Sequence, residues 1–148
     1  MGRVKVSADA AFPPQRFVDA FTDFGPDRSR IWGNSADGLL VVHDRGDAWA
    51  EVTEGSAVAG GIWQRYRYDW SNPGRVTLEV LESNAFGKGS SWTYEVSPTP
   101  AGCHIDLTIV RKPTTTKGRL LEPFMLLGGN AYFRKDLRRT VAQLGTVT

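Results

Sequence analysis

Apolar and polar residues alternate with a period of two through much of this chain, and each alternating run ends at a turn signal. Arg3 to Ser7, Leu39 to His43, Ala48 to Glu54 and Ile62 to Trp70 read this way, as do the runs built on Val76-Leu78-Val80, Trp92-Tyr94-Val96 and Ile105-Leu107-Ile109. That period belongs to strands with one face in a core and the other in water. Between the runs stand Arg45-Gly46-Asp47, Gly60-Gly61, Asn72-Pro73-Gly74, Phe86-Gly87-Lys88-Gly89 and Pro98 to Gly102, with the composition of turns. Hairpin-length connections predict an antiparallel meander, because parallel neighbours need a crossover of about a dozen residues or more.

Helical spacing occurs in two regions. Pro13-Pro14 suits an opening turn, and Phe17, Val18, Phe21 and Phe24 recur on one face until Gly25-Pro26 breaks the pattern. A second short helical piece is expected from Asp27 to Trp32, with Asp27 as its cap. Thr115 to Leu144 is the one long helical stretch. Leu120, Phe124, Leu127 and Ala131 form one stripe on it, and Phe133, Leu137, Val141 and Leu144 another, roughly a third of a turn away. Leu121, Met125 and Leu126 make the first half apolar around most of its circumference. Pro123 and Gly128-Gly129 would weaken or bend the helix. Two expectations follow: the first half covers a cavity mouth while the second packs on the sheet, or the whole is a buried helix whose glycines allow close packing.

Length and composition narrow the functional classes. With 148 residues, 41% hydrophobic and 23% charged, the chain is expected to form one soluble domain. A net charge of +2 does not call for a nucleic-acid partner. The single Cys103 excludes an internal disulfide, and Cys103 with His43 and His104 makes a poor zinc set, so no cofactor is expected. No run approaches the ~18 apolar residues of a membrane span, and Met1 to Phe12 lacks a signal-peptide core. A cytoplasmic protein without stable membrane insertion is the expectation. The five Trp read either as core packing or as the lining of a ligand site.

No catalytic signature stands out. Gly87-Lys88-Gly89-Ser90 lacks the earlier glycine of a phosphate loop, Ser83 standing in its place, and it joins two strands. Gly33-Asn34-Ser35 fails the nucleophile-elbow pattern at Asp37. His104 shares parity with Asp106 and Thr108 and is expected to face solvent, and Arg65 and Arg67 are expected to point outward. Glu82 and Gln64 are the polar residues whose parity brings them to inner faces, Glu82 alternatively emerging into water at a strand end. Arg134, Lys135, Arg138 and Arg139 make the end of the long helix basic, as suits a helix C-terminus and a solvated face.

The order of elements, with Trp49-Ala50-Glu51-Val52-Thr53-Glu54-Gly55, Tyr68-Asp69-Trp70-Ser71-Asn72-Pro73-Gly74 and Gly89-Ser90-Ser91-Trp92, resembles the START-like or SRPBCC superfamily over nearly the whole chain, and in particular an actinobacterial branch of it. That resemblance implies an α+β helix-grip fold: a curved antiparallel sheet of about seven strands wrapped around a long C-terminal helix, with two short helices after the first strand. It also implies a cavity between sheet and last helix that takes a small hydrophobic or amphipathic molecule, lipid or polyketide-like. On this reading Gln64, Tyr66, Tyr68, Trp70, Leu78, Trp92, Tyr94, Ile105 and Leu107 line the sheet side, and Phe124, Leu127, Gly128 and Ala131 line the lid. The alternative is a polyketide cyclase, aromatase or dehydratase using the same cavity. No catalytic Arg or Tyr of such enzymes maps onto a matching motif. A third reading, an interaction module, applies if the apolar first half of the last helix is exposed. Monomer and homodimer are both compatible with the sequence.

Overall fold

The structure, a computed structural model, describes residues 2–25, 28–32, 35, 39–57 and 60–146. Asp27 as a cap, Pro26 of the helix breaker, and Gly33, Asn34 and Asp37 of the failed elbow lie outside the described residues, as do the side chains of Met125 and Leu126. In chain order the elements are β1 (Gly2–Ala10), α1 (Pro14–Phe21), α2 (Arg28–Ile31), β2 (Val41–Arg45), β3 (Trp49–Ser56), β4 (Ile62–Asp69), β5 (Arg75–Ser83), β6 (Ser91–Thr99), β7 (Gly102–Arg111) and α3 (Thr116–Thr146). The seven strands form one antiparallel sheet in the order β1-β7-β6-β5-β4-β3-β2. The expected meander and helix order are therefore present, and β7 returns to pair with β1.

Alternation sets the two faces. Ala50 and Val52 on β3, Tyr66 and Tyr68 on β4, Val76, Leu78 and Val80 on β5, and Ile105 and Ile109 on β7 are fully buried on the inner face. Two local departures correct the period-two reading. Strand β2 begins at Val41 rather than Leu39 and runs through Arg45, with a register shift between Val42 and Asp44. On β5 a bulge opposite Arg65 and Tyr66 pairs Tyr66 with Val80 and Arg65 with Glu82. The extra residue reverses the parity beyond it, so Glu82 is exposed despite its spacing from Val80.

Pro14 opens α1, where its missing N–H would have lacked a partner in any case. The helix buries Phe17, Val18 and Phe21. Phe21 stacks on Phe17 and stands edge-on to Trp32, 4.3 Å between centroids, and both phenylalanines pack on Tyr94. This aromatic cluster fills the inner face over β4 to β6 at that end of the sheet.

The last helix is fastened at its two ends. Thr115 caps it, its hydroxyl accepting from the Gly118 N–H at 3.1 Å and donating to the Asn84 carbonyl at 2.9 Å. Gly118 lies so close to the Ala85 carbonyl that a methyl there would stand 2.1 Å from its oxygen. Lys117 reaches the Gly61 carbonyl at 2.6 Å. At the far end Thr140 bonds the Ile31 carbonyl at 3.0 Å and Arg16 the Leu144 carbonyl at 2.8 Å. Pro123 stands inside α3 without ending it. Leu137, Thr140 and Leu144 are buried, so the second half packs as expected. The first half differs from the stripe expected to face inward. Leu120, Phe124 and Leu127 are 68%, 72% and 90% exposed, and Ala131 is exposed too; Gly129 is the buried residue of that stretch.

Candidate functional site

Held at both ends, α3 spans a gap beside its own first half. A cavity of about 290 Å³ lies there, bounded by Ser56, Ile62, Gln64, Phe86, Trp92 and Arg111 on the sheet side and Leu121, Phe124, Gly128, Gly129, Tyr132, Phe133 and Asp136 on the helix side. Its volume is near the lower end of the ~300–1,000 Å³ usual for small-molecule sites. Phe124 and Tyr132, both more than half exposed, stand at its mouth. Trp92 and Phe133 close one wall edge-to-face at 5.4 Å.

Of the residues the sequence singled out, the structure brings Gln64, Trp92, Phe124 and Gly128 together around this cavity. The others occupy different ground. Tyr68 and Tyr94 lie under the α1 aromatics, Tyr68 being 5.5 Å from Phe21 and 5.1 Å from Phe24. Leu78, Ile105 and Leu107 are buried in the hydrophobic core, and Trp70 packs partly buried against it. Tyr66 is fully buried behind Gln64, Leu127 points to solvent, and Ala131 is exposed. The reason is spatial: Phe17, Phe21 and Trp32 pack over Tyr68 and Tyr94, whereas the cavity opens toward the ends of β3, β4 and β7.

Two polar groups on the inner face were not singled out. Glu54 follows Ala50 and Val52 in parity and is fully buried. Its carboxylate accepts from Arg28 Nε at 2.5 Å and from the Tyr68 hydroxyl, and Arg28 Nη2 also donates to Tyr68 at 2.9 Å. The rest of the guanidinium donates to the carbonyls of Phe21 and Asp23. Burial first, and then the Glu54 charge, hold the Tyr68 hydroxyl well above the ordinary phenol range. Burial opposes the charge of Arg28, but Tyr68 and Glu54 outweigh it and raise its pKa. This network ties α2 and the end of α1 to β3 and β4, and it lies outside the cavity wall.

Arg111 is the second. It ends β7 on the parity of Ile105, Leu107 and Ile109 and is only 7% exposed. Its guanidinium lies 4.9 Å from the Trp92 ring and 5.2 Å from Phe86. Desolvation pulls its pKa down, and the hydrogen bond with Tyr66 counters part of that. Tyr66 in turn donates to Gln64 Oε1 at 2.6 Å. The remaining candidates face water as expected. Arg65 and Arg67 pair with Glu51 on the outer face, and His104 bonds Asp9 at 2.7 Å and Asp106 at 3.1 Å.

Among the described residues no helix is long and apolar enough to cross a membrane. No curated protein matches the chain. Several solved structures share the fold. A Thermus thermophilus protein superposes with a TM-score of 0.76 at 16% identity, covering 96% of each chain. The Zhui aromatase/cyclase of a Streptomyces species gives 0.72 at 13% identity, covering 97% of this chain and 93% of its own. A START superfamily protein of Mycobacterium smegmatis gives 0.67 at 12% identity, covering 97% and 99%. Such identities establish the helix-grip architecture, and the family is settled by the sequence itself: residues 1–147 match the model described as polyketide cyclase / dehydrase and lipid transport, so the chain belongs to that family.

Proposed function

We propose that this protein binds a hydrophobic or amphipathic small molecule, of lipid or polyketide-like character, between the sheet and α3. One observation carries the reading: the interior is packed under α1 but left open beside the first half of α3, in a largely apolar space of about 290 Å³. Burying a guest there gains ~25 cal/mol per Å² of apolar surface removed from water. Membership of a family described by polyketide cyclisation and lipid transport supports the same class of guest.

Gly128 supplies the test, because a side chain added there meets nothing within 4 Å and would grow into open space at the cavity wall. Phenylnaphthylamine, a neutral apolar fluorophore, is expected to brighten on binding the wild type and not on binding Gly128→Trp. Absence of binding by the wild type, or equal binding by the filled variant, refutes the proposal. The alternative, a cyclase or dehydratase, draws support from Gln64 and Arg111 in the cavity wall, each bonded to the buried Tyr66 behind it, since donors there could stabilise an enolate. It requires turnover of a polyketide substrate that falls in Tyr66→Phe, and binding without turnover rejects it.

A further inference from the structure

Seven buried side-chain nitrogen or oxygen atoms lack a hydrogen-bond partner among the described residues, and four of them belong to the wall of this one cavity: Arg111 Nε, Arg111 Nη1, Gln64 Nε2 and Trp92 Nε1. All four are donors. Buried polar groups are ordinarily satisfied, because each one left unpaired forfeits its hydration without a replacement bond, and a charged one forfeits most. Their concentration at one place calls for an acceptor that the protein's own side chains do not supply.

The orientation of these donors follows from their neighbours. A guanidinium can only donate, so Tyr66 accepts from Arg111 and its own proton goes to Gln64 Oε1. That fixes the amide, with its NH₂ side left over. The Arg111 guanidinium lies over the rings of Phe86 and Trp92. Its electrostatic neighbours are the hydroxyls of Tyr66 and Tyr94, with no carboxylate among them. The one carboxylate of the wall, Asp136, bonds Arg139 on its own helix at 3.4 Å. The inner wall of the cavity thus carries a guanidinium, an amide N–H and an indole N–H, their unpaired nitrogens buried in that wall, while the mouth at Phe124 and Tyr132 is apolar.

From this arrangement we infer that the ligand is an acid: a compact apolar body whose carboxylate seats on Arg111, with Gln64 and Trp92 donating to the same group and the body extending toward Phe124. The inference rests on the cavity being a site for an apolar guest and adds the chemistry of the guest's head. A carboxylate accepts a charge-assisted bond from a guanidinium N–H, which an ester or alcohol cannot match with charge.

The test compares naphthalene carboxylate with its methyl ester by calorimetry at neutral pH, on the wild type, Arg111→Met and Arg111→Lys. In the wild type the acid is expected to bind about ten-fold or more tighter than the ester, the order of one charge-assisted hydrogen bond. Arg111→Met erases that preference, bringing the acid-to-ester affinity ratio to about one, and Arg111→Lys, which keeps a charge, retains part of it. Arg111→Met also melts no lower than the wild type, because it removes a buried charge that has no counter-ion among the described residues. Equal affinity for acid and ester overturns the inference and leaves the apolar site standing. An Arg111→Met variant that melts well below the wild type overturns it as well, since the guanidinium would then be holding the fold rather than awaiting a ligand. If neither probe binds, the apolar-site reading falls with it.

Discussion

Arg28→Met is expected to be among the most damaging single substitutions outside the hydrophobic core. Arg28 and Glu54 are an ion pair with side chains 1% and 0% exposed. Removing one member of such a pair leaves an uncompensated buried charge, at a cost of ~3–5 kcal/mol. At ~2–4 °C per kcal/mol for a chain of this size, the melting temperature should fall by about 6–20 °C. The reasoning makes a sharper claim in combination. Arg28→Met, Glu54→Leu and Tyr68→Phe together exchange the whole network for apolar groups of similar shape, and such exchanges are often neutral or better. The triple variant should therefore recover most of the loss, falling short by about 1–2 kcal/mol for the Phe21 and Asp23 carbonyls that Arg28 no longer satisfies. Urea denaturation followed by far-ultraviolet circular dichroism measures this, with the denaturant slope checked for constancy across the set. A triple variant less stable than Arg28→Met would refute the account, and so would a single variant within about 1 kcal/mol of the wild type.

Three further outcomes follow from the same geometry. The Asp9 hydrogen bond, and then the charge of Asp106, raise the pKa of His104 above its ordinary value of 6.5, so its contribution to stability is full below 6.5 and is lost as pH rises through the folded value. His104 is largely solvated, which keeps the effect small; Asp9→Asn should lower the His104 midpoint in an NMR titration, and an unchanged midpoint rejects the assignment. Gly118→Ala and Gly128→Ala should act with opposite sign: both gain up to ~1 kcal/mol of helix propensity, but a methyl at Gly118 runs into the Ala85 carbonyl whereas one at Gly128 meets nothing. Thermal melts in which both variants shift upward would refute the close approach at Gly118. Leu137→Ala should lose ~2–5 kcal/mol and Leu127→Ala no more than about 0.5 kcal/mol, and comparable losses would contradict the placement of the two helix stripes.

Those two stripes show what periodicity can and cannot report. The strands were legible because their alternation is enforced by a sheet with one buried face, and a one-residue slip would expose the whole apolar set. On α3 the same logic reads Leu120 and Leu127 as inward, yet they face solvent while Phe124 stands more than half exposed at the cavity mouth, because apolar residues are permitted outside while polar ones are restrained from going inside. The informative residues were therefore the polar ones on buried parities. Glu54 continues Ala50-Val52, and Arg111 continues Ile105-Leu107-Ile109. Each could have been marked by extending its strand's alternation to the last residue.

What parity could not supply was the partner. For Glu54 it comes from a short helix 26 residues earlier in the chain, brought near only by the packing of α1 on Tyr94 and Tyr68. For Arg111 no carboxylate comes from the described residues. The difference between these two buried charges is the physical content of the site. One is compensated from within the chain and belongs to the fold. The other opens onto a cavity that the α1 aromatics do not reach, and its unmet donors direct the search for a ligand toward acids.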